Sequence, residues 1–475
     1  MKKVVVIGGG AAGLTAGIFA LRHGFDCTLI EKNKTGAGAL CGWRRGGYEI
    51  DGCLHWLTGT REGTELNDIW RITGMMGGEW VRTPSLFSST THGKTVSFYD
   101  DAERTREELI AAYPEDRREI DKLHRAISAA ASLSGLEGER AMSKFESFAL
   151  LAPYALLGAG ELAERFRSEG MKRAVCDLTG KYYSSLGLIF AYSAYSRGNG
   201  YLPSGGSRGA ADRMTDMFKK TGGKYIAGER AVRIKRDGGG YTVLLSGGDA
   251  VFADRVICCI DPLRAVSLFE GVSLPEKFAG KLRRRSKYPL FSSVHFAFSA
   301  KSSDVPFRGT LFFPVERQMI GSVNRDRMML REFSHEPSFA PEGETVLQTM
   351  FFTDEKTSRG WIELKKGGAG YGEAKEAAAR EVKERITSVF PSLSRSIKLI
   401  DSWTPATFSR YLGSNCGSYM SFALTPGTIP ASFPMTVPGL DGAVFASGWT
   451  KSPGGVPNAA YAGRDAVLAL TRMRD

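Results

Sequence analysis

At 475 residues the chain is too long for one compact core, so two domains, sequential or interleaved, are expected. Hydrophobic residues at 42% and charged residues at 24% are the proportions of a soluble globular protein and exclude wholesale disorder. A formal charge of +12 would suit nucleic acid, an anionic membrane or an acidic ligand, yet no zinc-finger spacing, RNP sequence or basic zipper occurs, so nucleic acid is set aside.

The chain opens on a short β-branched run, residues 4–7, the mark of a buried parallel strand. Preceded by Lys2 and Lys3 it imitates a secretory signal, but Gly8, Gly9, Gly10 and Gly13 interrupt it in a pattern of their own. Residues 11–22 have helical periodicity and stop at Gly24; residues 27–30 form a second strand closed by Glu31. Strand, helix and strand together make a βαβ unit. From 63 to 197 the chain reads mainly as helix, with a long amphipathic one opened by Pro114 and running towards Ser134. Residues 145–160 are strongly apolar and broken by Pro153. Short strands at 224–226, 231–235, 241–245 and 250–252, separated by Gly-rich turns, are expected to form one meander. A buried strand at 255–260 stops at Asp261-Pro262. Strands at 290–300 and 346–353 follow, then a helix at 372–390, a strand at 442–447 and a closing helix at 458–473. No uncharged apolar stretch reaches the ~18 residues of a membrane-spanning helix.

Gly8-Gly9-Gly10-Ala11-Ala12-Gly13 fits G-x-G-x-x-G, directly after a strand and opening a helix. Gly8 permits the tight turn, Gly10 lets the backbone approach a pyrophosphate, and Gly13 lets helix pack closely on strand. The helix N-terminus, with Ala11 and Ala12, offers N–H groups and a positive dipole end to phosphates. Glu31, with Lys32 beside it, stands where an adenosine ribose would donate hydrogen bonds. The seven cysteines, an odd number without C-x-x-C or metal-ligand spacing, point to a reducing, cytoplasmic setting and to no metal.

With this motif the chain resembles the phytoene desaturase, carotenoid isomerase and retinol saturase group of the FAD-dependent amine oxidase-like superfamily. The resemblance rests on three blocks: the N-terminal one, continuing into Gly47-Tyr48-Glu49-Ile50-Asp51-Gly52; Tyr201-Leu202-Pro203-Ser204-Gly205-Gly206 with the strands to Asp261-Pro262; and Gly448-Trp449 with Gly454-Gly455-Val456-Pro457. It implies an α/β protein, a glutathione-reductase-like Rossmann FAD domain (1–85, 200–285 and 435–475) with an inserted α+β substrate domain under a helical cap (86–199 and 286–434). Non-covalent FAD is implied. Val232 would touch the adenine through its backbone, Gly448 would lie near the pyrophosphate and ribityl chain, and Gly455 and Val456 would meet the flavin pyrimidine. The family's G-G-R after the ribose-binding Glu is here Ala37-Gly38-Ala39, without the arginine.

The implied chemistry is hydride transfer at flavin N5, changing a carbon–carbon double bond of a hydrophobic, polyene or isoprenoid substrate by desaturation, saturation or isomerisation. Oxidation of a C–N bond and a non-catalytic electron-transfer subunit are the alternatives. Cys53 and His55 are the candidates for flavin-adjacent chemistry, against the plainer readings of a small buried thiol and a histidine satisfied by backbone. Asp51 and Arg45 contact the cofactor, hold the loop or form a surface ion pair, and Trp56 and Trp449 either wall the flavin or fill core. The apolar segment 145–160, with the basic run 281–287, suits either peripheral membrane contact or a buried hairpin.

Overall fold

A computed structural model describes the chain except for residues 37, 79, 137–141, 273–275, 277–279, 281–289, 323–325, 427–433, 452–453 and 474–475. The first strand, Lys3–Ile7, is apolar on both faces because both are covered. Val4 and Val6 pack among the helices Ala11–Arg22 and Gly455–Arg472, whereas Val5 and Ile7 meet a small antiparallel sheet through Ala231, Ile234 and Tyr241. Five parallel strands lie in the order Ala443–Phe445, Arg255–Cys258, Lys3–Ile7, Asp26–Glu31 and Lys224–Ala227. The sheet therefore draws on the beginning, middle and end of the chain.

The expected four-stranded meander is corrected here. Lys224–Ala227 joins the parallel sheet beside Asp26–Glu31, and only Ala231–Asp237, Gly240–Leu245 and Ala250–Ala253 form the antiparallel unit. Helices Ala11–Arg22 and Gly455–Arg472 run in close contact: a Cβ at Gly463 would lie 2.2 Å from the Ala12 carbonyl oxygen.

A second sheet has seven strands, in the order Lys398–Trp403, Ser292–Lys301, Glu344–Thr353, Arg327–Glu332, Thr310–Pro314, Phe87–Thr91 and Lys94–Phe98. Its last two strands fall in the stretch that reads mainly as helix. They form a hairpin whose turn residues His92 and Gly93 both have positive φ, 50° and 75°, the conformation a two-residue hairpin loop requires. Phe87, Phe98, Phe312 and Met329 of this sheet pack on helices through Leu109, Leu123 and Tyr192. Phe296, Phe298, Leu330 and Leu347 pack on the helix Tyr371–Val389 through Ala378, Val382 and Ile386. Among the described residues no helix is long and apolar enough to cross a membrane.

Helix Glu169–Asp177 is pinned to the second sheet by a buried ion pair. Arg327 holds both Asp177 oxygens at 2.6 Å, Ser89 donates to the same carboxylate at 2.7 Å, and Arg327 also donates to the Thr90 carbonyl. A guanidinium clamped bidentately on a carboxylate is the geometry that makes a buried pair tolerable.

Candidate functional site

A cavity of about 1400 Å³ runs from the C-terminal ends of the parallel strands, at Ile7, Ile30 and Cys259, to Phe312, Met329 and Phe352 of the second sheet. Its volume exceeds the ~300–1,000 Å³ usual for a single small ligand, leaving room for a cofactor and a substrate together. Two helix N-termini open onto it, those of Ala11–Arg22 and Gly455–Arg472; their N-caps are Gly10 and Gly454, and no side chain caps either. Uncapped N–H groups and two positive dipole ends facing one cavity form a receptor for a group with phosphates and an electron-rich ring. Gly13 is required by the packing behind the first: a Cβ there would lie 1.8 Å from the Gly8 carbonyl oxygen. Gly454 is equally constrained, with φ of 80° and a Cβ position 2.2 Å from the Met420 oxygen. These cradles, built so that a ligand can approach backbone, fit FAD.

The residues anticipated for the cofactor divide into two sets. Gly8, Gly10, Ala11, Ala12, Glu31, Lys32, Gly448, Trp449, Gly455 and Val456 all line the cavity. Glu31 accepts from the Gly9 N–H at 2.7 Å and the Asn33 N–H at 2.8 Å, which orients the carboxylate and leaves lone pairs for ribose hydroxyls. Lys32 donates to the Arg410 carbonyl at 2.8 Å; burial, then the nearby Arg264 charge, holds its pKa below the usual lysine range. Arg230 and Arg264 line the same end, a cationic group that sequence reading missed because it is assembled from distant segments.

The other set stands off the wall. Val232 turns its side chain to solvent, 44% exposed, while Ala231 faces the cavity, so any part Val232 takes is through its main chain. Arg45 takes the ion-pair reading rather than the cofactor one: it is a surface residue with its guanidinium 3.2 Å from Asp401. Asp51 takes the loop-holding reading and is a buried positioning residue. Its Oδ1 accepts the Cys53 and Leu54 N–H groups, both at 2.9 Å, and its Oδ2 accepts the Ser207 N–H at 2.9 Å. The Ser207 hydroxyl completes the network. One carboxylate thus shapes the 53–55 loop and satisfies the N-terminus of helix Gly206–Lys220, joining the first two sequence blocks.

That loop presents Cys53, His55 and Trp56 to the cavity. Burial pushes the Cys53 thiol well above its ordinary range, with the Asp51 charge adding to it, so it stays protonated. His55 lines the cavity; burial, helped by the Arg331 cation, lowers its pKa to about 3 and keeps the ring neutral. Arg331 is buried, donates to the Leu54 carbonyl, and lies over the Phe333 ring at 4.5 Å. Burial pulls its own pKa down to about 10, against the opposing charge of Asp51. Beyond the loop the wall becomes apolar, with Leu86, Leu136, Leu186, Phe312, Met329 and Met350.

The family model for flavin containing amine oxidoreductases matches residues 11–470. The chain is 22% identical to the chloroplastic prolycopene isomerase of Daucus carota over 468 residues, covering 87% of this chain and 71% of that protein. An oxidoreductase from Methanosarcina mazei superposes with a TM-score of 0.65 at 16% identity, over 98% of this chain and 100% of that one. A cofactor-site triple mutant of putrescine oxidase gives 0.60 at 16% identity over 99% and 98% of the two chains. Cyclohexylamine oxidase from Brevibacterium oxydans gives 0.59 at 17% identity, again over 99% and 98%. With the paired helix termini and the strand-end cavity, the match over nearly the whole length shows that the chain belongs to the flavin containing amine oxidoreductases and is an FAD-dependent oxidoreductase.

Proposed function

We propose that the enzyme acts on a carbon–carbon bond of a long hydrophobic substrate, of polyene or isoprenoid type. The carrying observation is the apolar arm of the cavity, which continues past the 53–55 loop between the second sheet and the helical region. Bound FAD supplies a two-electron acceptor or donor at its N5 atom. The protein supplies position and dryness: Leu, Met and Phe side chains hold an extended chain and exclude water, and neutral His55 and Cys53 add no charge that would repel it. An ammonium substrate would favour a carboxylate partner. The carboxylates on the described cavity wall are Glu31, Glu229 and Asp261 towards the parallel sheet and Glu65, already bonded to Arg464. The similarity to prolycopene isomerase supports the polyene reading, and that to putrescine oxidase keeps C–N oxidation as the competitor.

The reading extends to how such a substrate arrives. Helix Lys144–Ala155 turns Phe145 and Phe148 outward, 84% and 63% exposed, and Leu156 follows at 74%. Leu156 and the exposed Phe190 also line the cavity, so the apolar arm emerges on an apolar surface, as transfer from a lipid layer requires. The basic run 281–287 lies outside the described residues. Holoenzyme should float with liposomes, and Phe145→Ser with Phe148→Ser should abolish flotation; a wild type that stays in solution removes this route.

The test of function is the visible flavin band, followed anaerobically with phytoene, with prolycopene before and after NADPH, and with putrescine. Spectral change and an altered polyene on chromatography are expected. Bleaching and peroxide release on re-aeration with putrescine, and no polyene product, would replace this reading with amine oxidation.

A further inference from the structure

Strand Ser292–Lys301 places Ser293 and His295 two residues apart, on one face of the second sheet. Both are buried, and His295 Nε2 lies 2.6 Å from the Ser293 hydroxyl. That hydroxyl is 2.7 Å from the phenol of Tyr419, which comes from the segment after the short helix Asn415–Gly417. The segment is tied to the strand's start: Tyr419 N–H donates to the Phe291 carbonyl, and Phe291 N–H to the Ser421 carbonyl. His295 is fixed by a parallel stack on Trp403 at 4.7 Å, and Tyr419 by an edge contact with Phe291 at 5.4 Å and a tilted one with Phe408 at 4.7 Å. Tyr419 alone of the three lines the cavity, where Cys53 and Tyr183 also stand.

We propose that Tyr419, Ser293 and His295 form a proton-accepting relay from the cavity, with Tyr419 the residue that touches substrate. The inference rests on the redox reading above and holds for either bond type, because two-electron oxidation of a C–C or a C–N bond gives one hydrogen with both electrons to the FAD and releases the other as a proton. The substrate's C–H or N–H bond breaks with its electron pair staying on the substrate, and the Tyr419 oxygen takes the proton. The Tyr419 O–H proton passes to Ser293 Oγ, and the Ser293 proton passes to Nε2 of neutral His295, which becomes imidazolium. Burial, with the neighbouring His55 adding to it, keeps His295 well below its usual pKa, so its resting state is the neutral acceptor the relay needs. Burial likewise holds the Tyr419 phenol far above its usual range, so it starts protonated. Cys53 in the same cavity stays a thiol, and His55 is held neutral by burial and by the Arg331 cation, which also opposes its taking up a proton.

The test has two arms. In histidine-¹⁵N-labelled FAD-loaded enzyme without substrate, the His295 Nε2 resonance should be that of an unprotonated acceptor. It should shift in Ser293→Ala and Tyr419→Phe and return towards wild type in Ser293→Thr. A protonated Nε2, or a resonance indifferent to these changes, overturns the relay whatever the substrate is. In the second arm, single turnover is followed in H₂O and D₂O with whichever of phytoene, prolycopene and putrescine reacts with the wild type. Tyr419→Phe, Ser293→Ala and His295→Gln should each slow the step by about 100-fold or more, with similar values because the three act as a unit. Ser293→Thr should recover most of the rate and the solvent isotope effect. Unchanged rates and isotope effects in variants that hold FAD overturn the relay, whereas a wild type inert to all three compounds counts against the functional reading and leaves the labelled-histidine arm to decide the relay.

Discussion

Two single residues carry consequences that no neighbour can absorb. Gly13 faces a backbone carbonyl, so a methyl group placed 1.8 Å from the Gly8 oxygen cannot be relieved by a side-chain rotation. Gly13→Ala should therefore separate the first helix from the first strand, cost about 1–3 kcal/mol by overpacking, and lower the flavin absorbance per protein chain. Retention of full FAD content and melting temperature would show that the contact is looser than it stands. Arg331 acts through charge. It is the second cause, after burial, of the low His55 pKa, so Arg331→Met should let His55 titrate above about 3 while staying below 6.5, because burial remains. Histidine NMR over a pH series reads this directly, and a His55 titration that does not move would remove the arginine from the electrostatics of the cavity.

At the scale of elements, the Asp177–Arg327 pair decides whether helix Glu169–Asp177 stays on the second sheet. Asp177→Ala leaves a buried guanidinium with the neutral hydrogen-bond partners Ser89, Thr90 and Thr91 among the described residues, a loss of about 3–5 kcal/mol. The variant should melt lower yet keep the flavin spectrum in its folded fraction, since neither residue lines the cavity. The sequence carried no sign of this pair, whose partners are 150 residues apart. The same limit separates what was legible from what was not. The cofactor end was legible because strand, Gly-rich turn, helix and Glu31 form one local unit whose spacing is itself the signal. The hairpin Phe87–Thr91 and Lys94–Phe98 was hidden, since two five-residue strands give little alternation between long helices, although His92-Gly93 was its turn signal. Residues 224–226 read as a strand of the meander, whereas Lys224–Ala227 pairs in the parallel sheet, because pairing partners are a tertiary fact. Arg331, Ser207 and the Tyr419–Ser293–His295 chain lay in unremarkable sequence and acquire meaning only when segments from opposite parts of the chain meet.

Over the whole molecule, the depressed histidines His55, His295 and His335, with His124 lowered as well, make acid stability a collective property. Burial lowers His55 and His335 to about 3 each, and His295 well below its ordinary value. In the unfolded chain all three would titrate near the usual ~6.5. Between that value and the folded one the unfolded state binds more protons, so stability falls as pH falls through this window and levels off below about 3. Each group contributes up to about 1.4 kcal/mol per pH unit, and three together up to about 4, which is large beside the ~5–15 kcal/mol of a typical domain. His335 isolates the effect, since it is off the cavity wall and stacks on Phe333 at 5.6 Å, with Arg331 the second cause of its shift. Its Nδ1 is buried without a partner among the described residues, and a backbone hydrogen bond with Glu332 opposes the shift only in part. His335→Gln should reduce the difference in urea midpoint between about pH 7 and about pH 5, in the direction of a smaller loss on acidification, by up to ~1.4 kcal/mol per unit after conversion through the m-value. An undiminished acid loss in this variant would mean that His335 already binds its proton in the native state, and that carboxylates rather than buried neutral imidazoles set the acid limit of the fold.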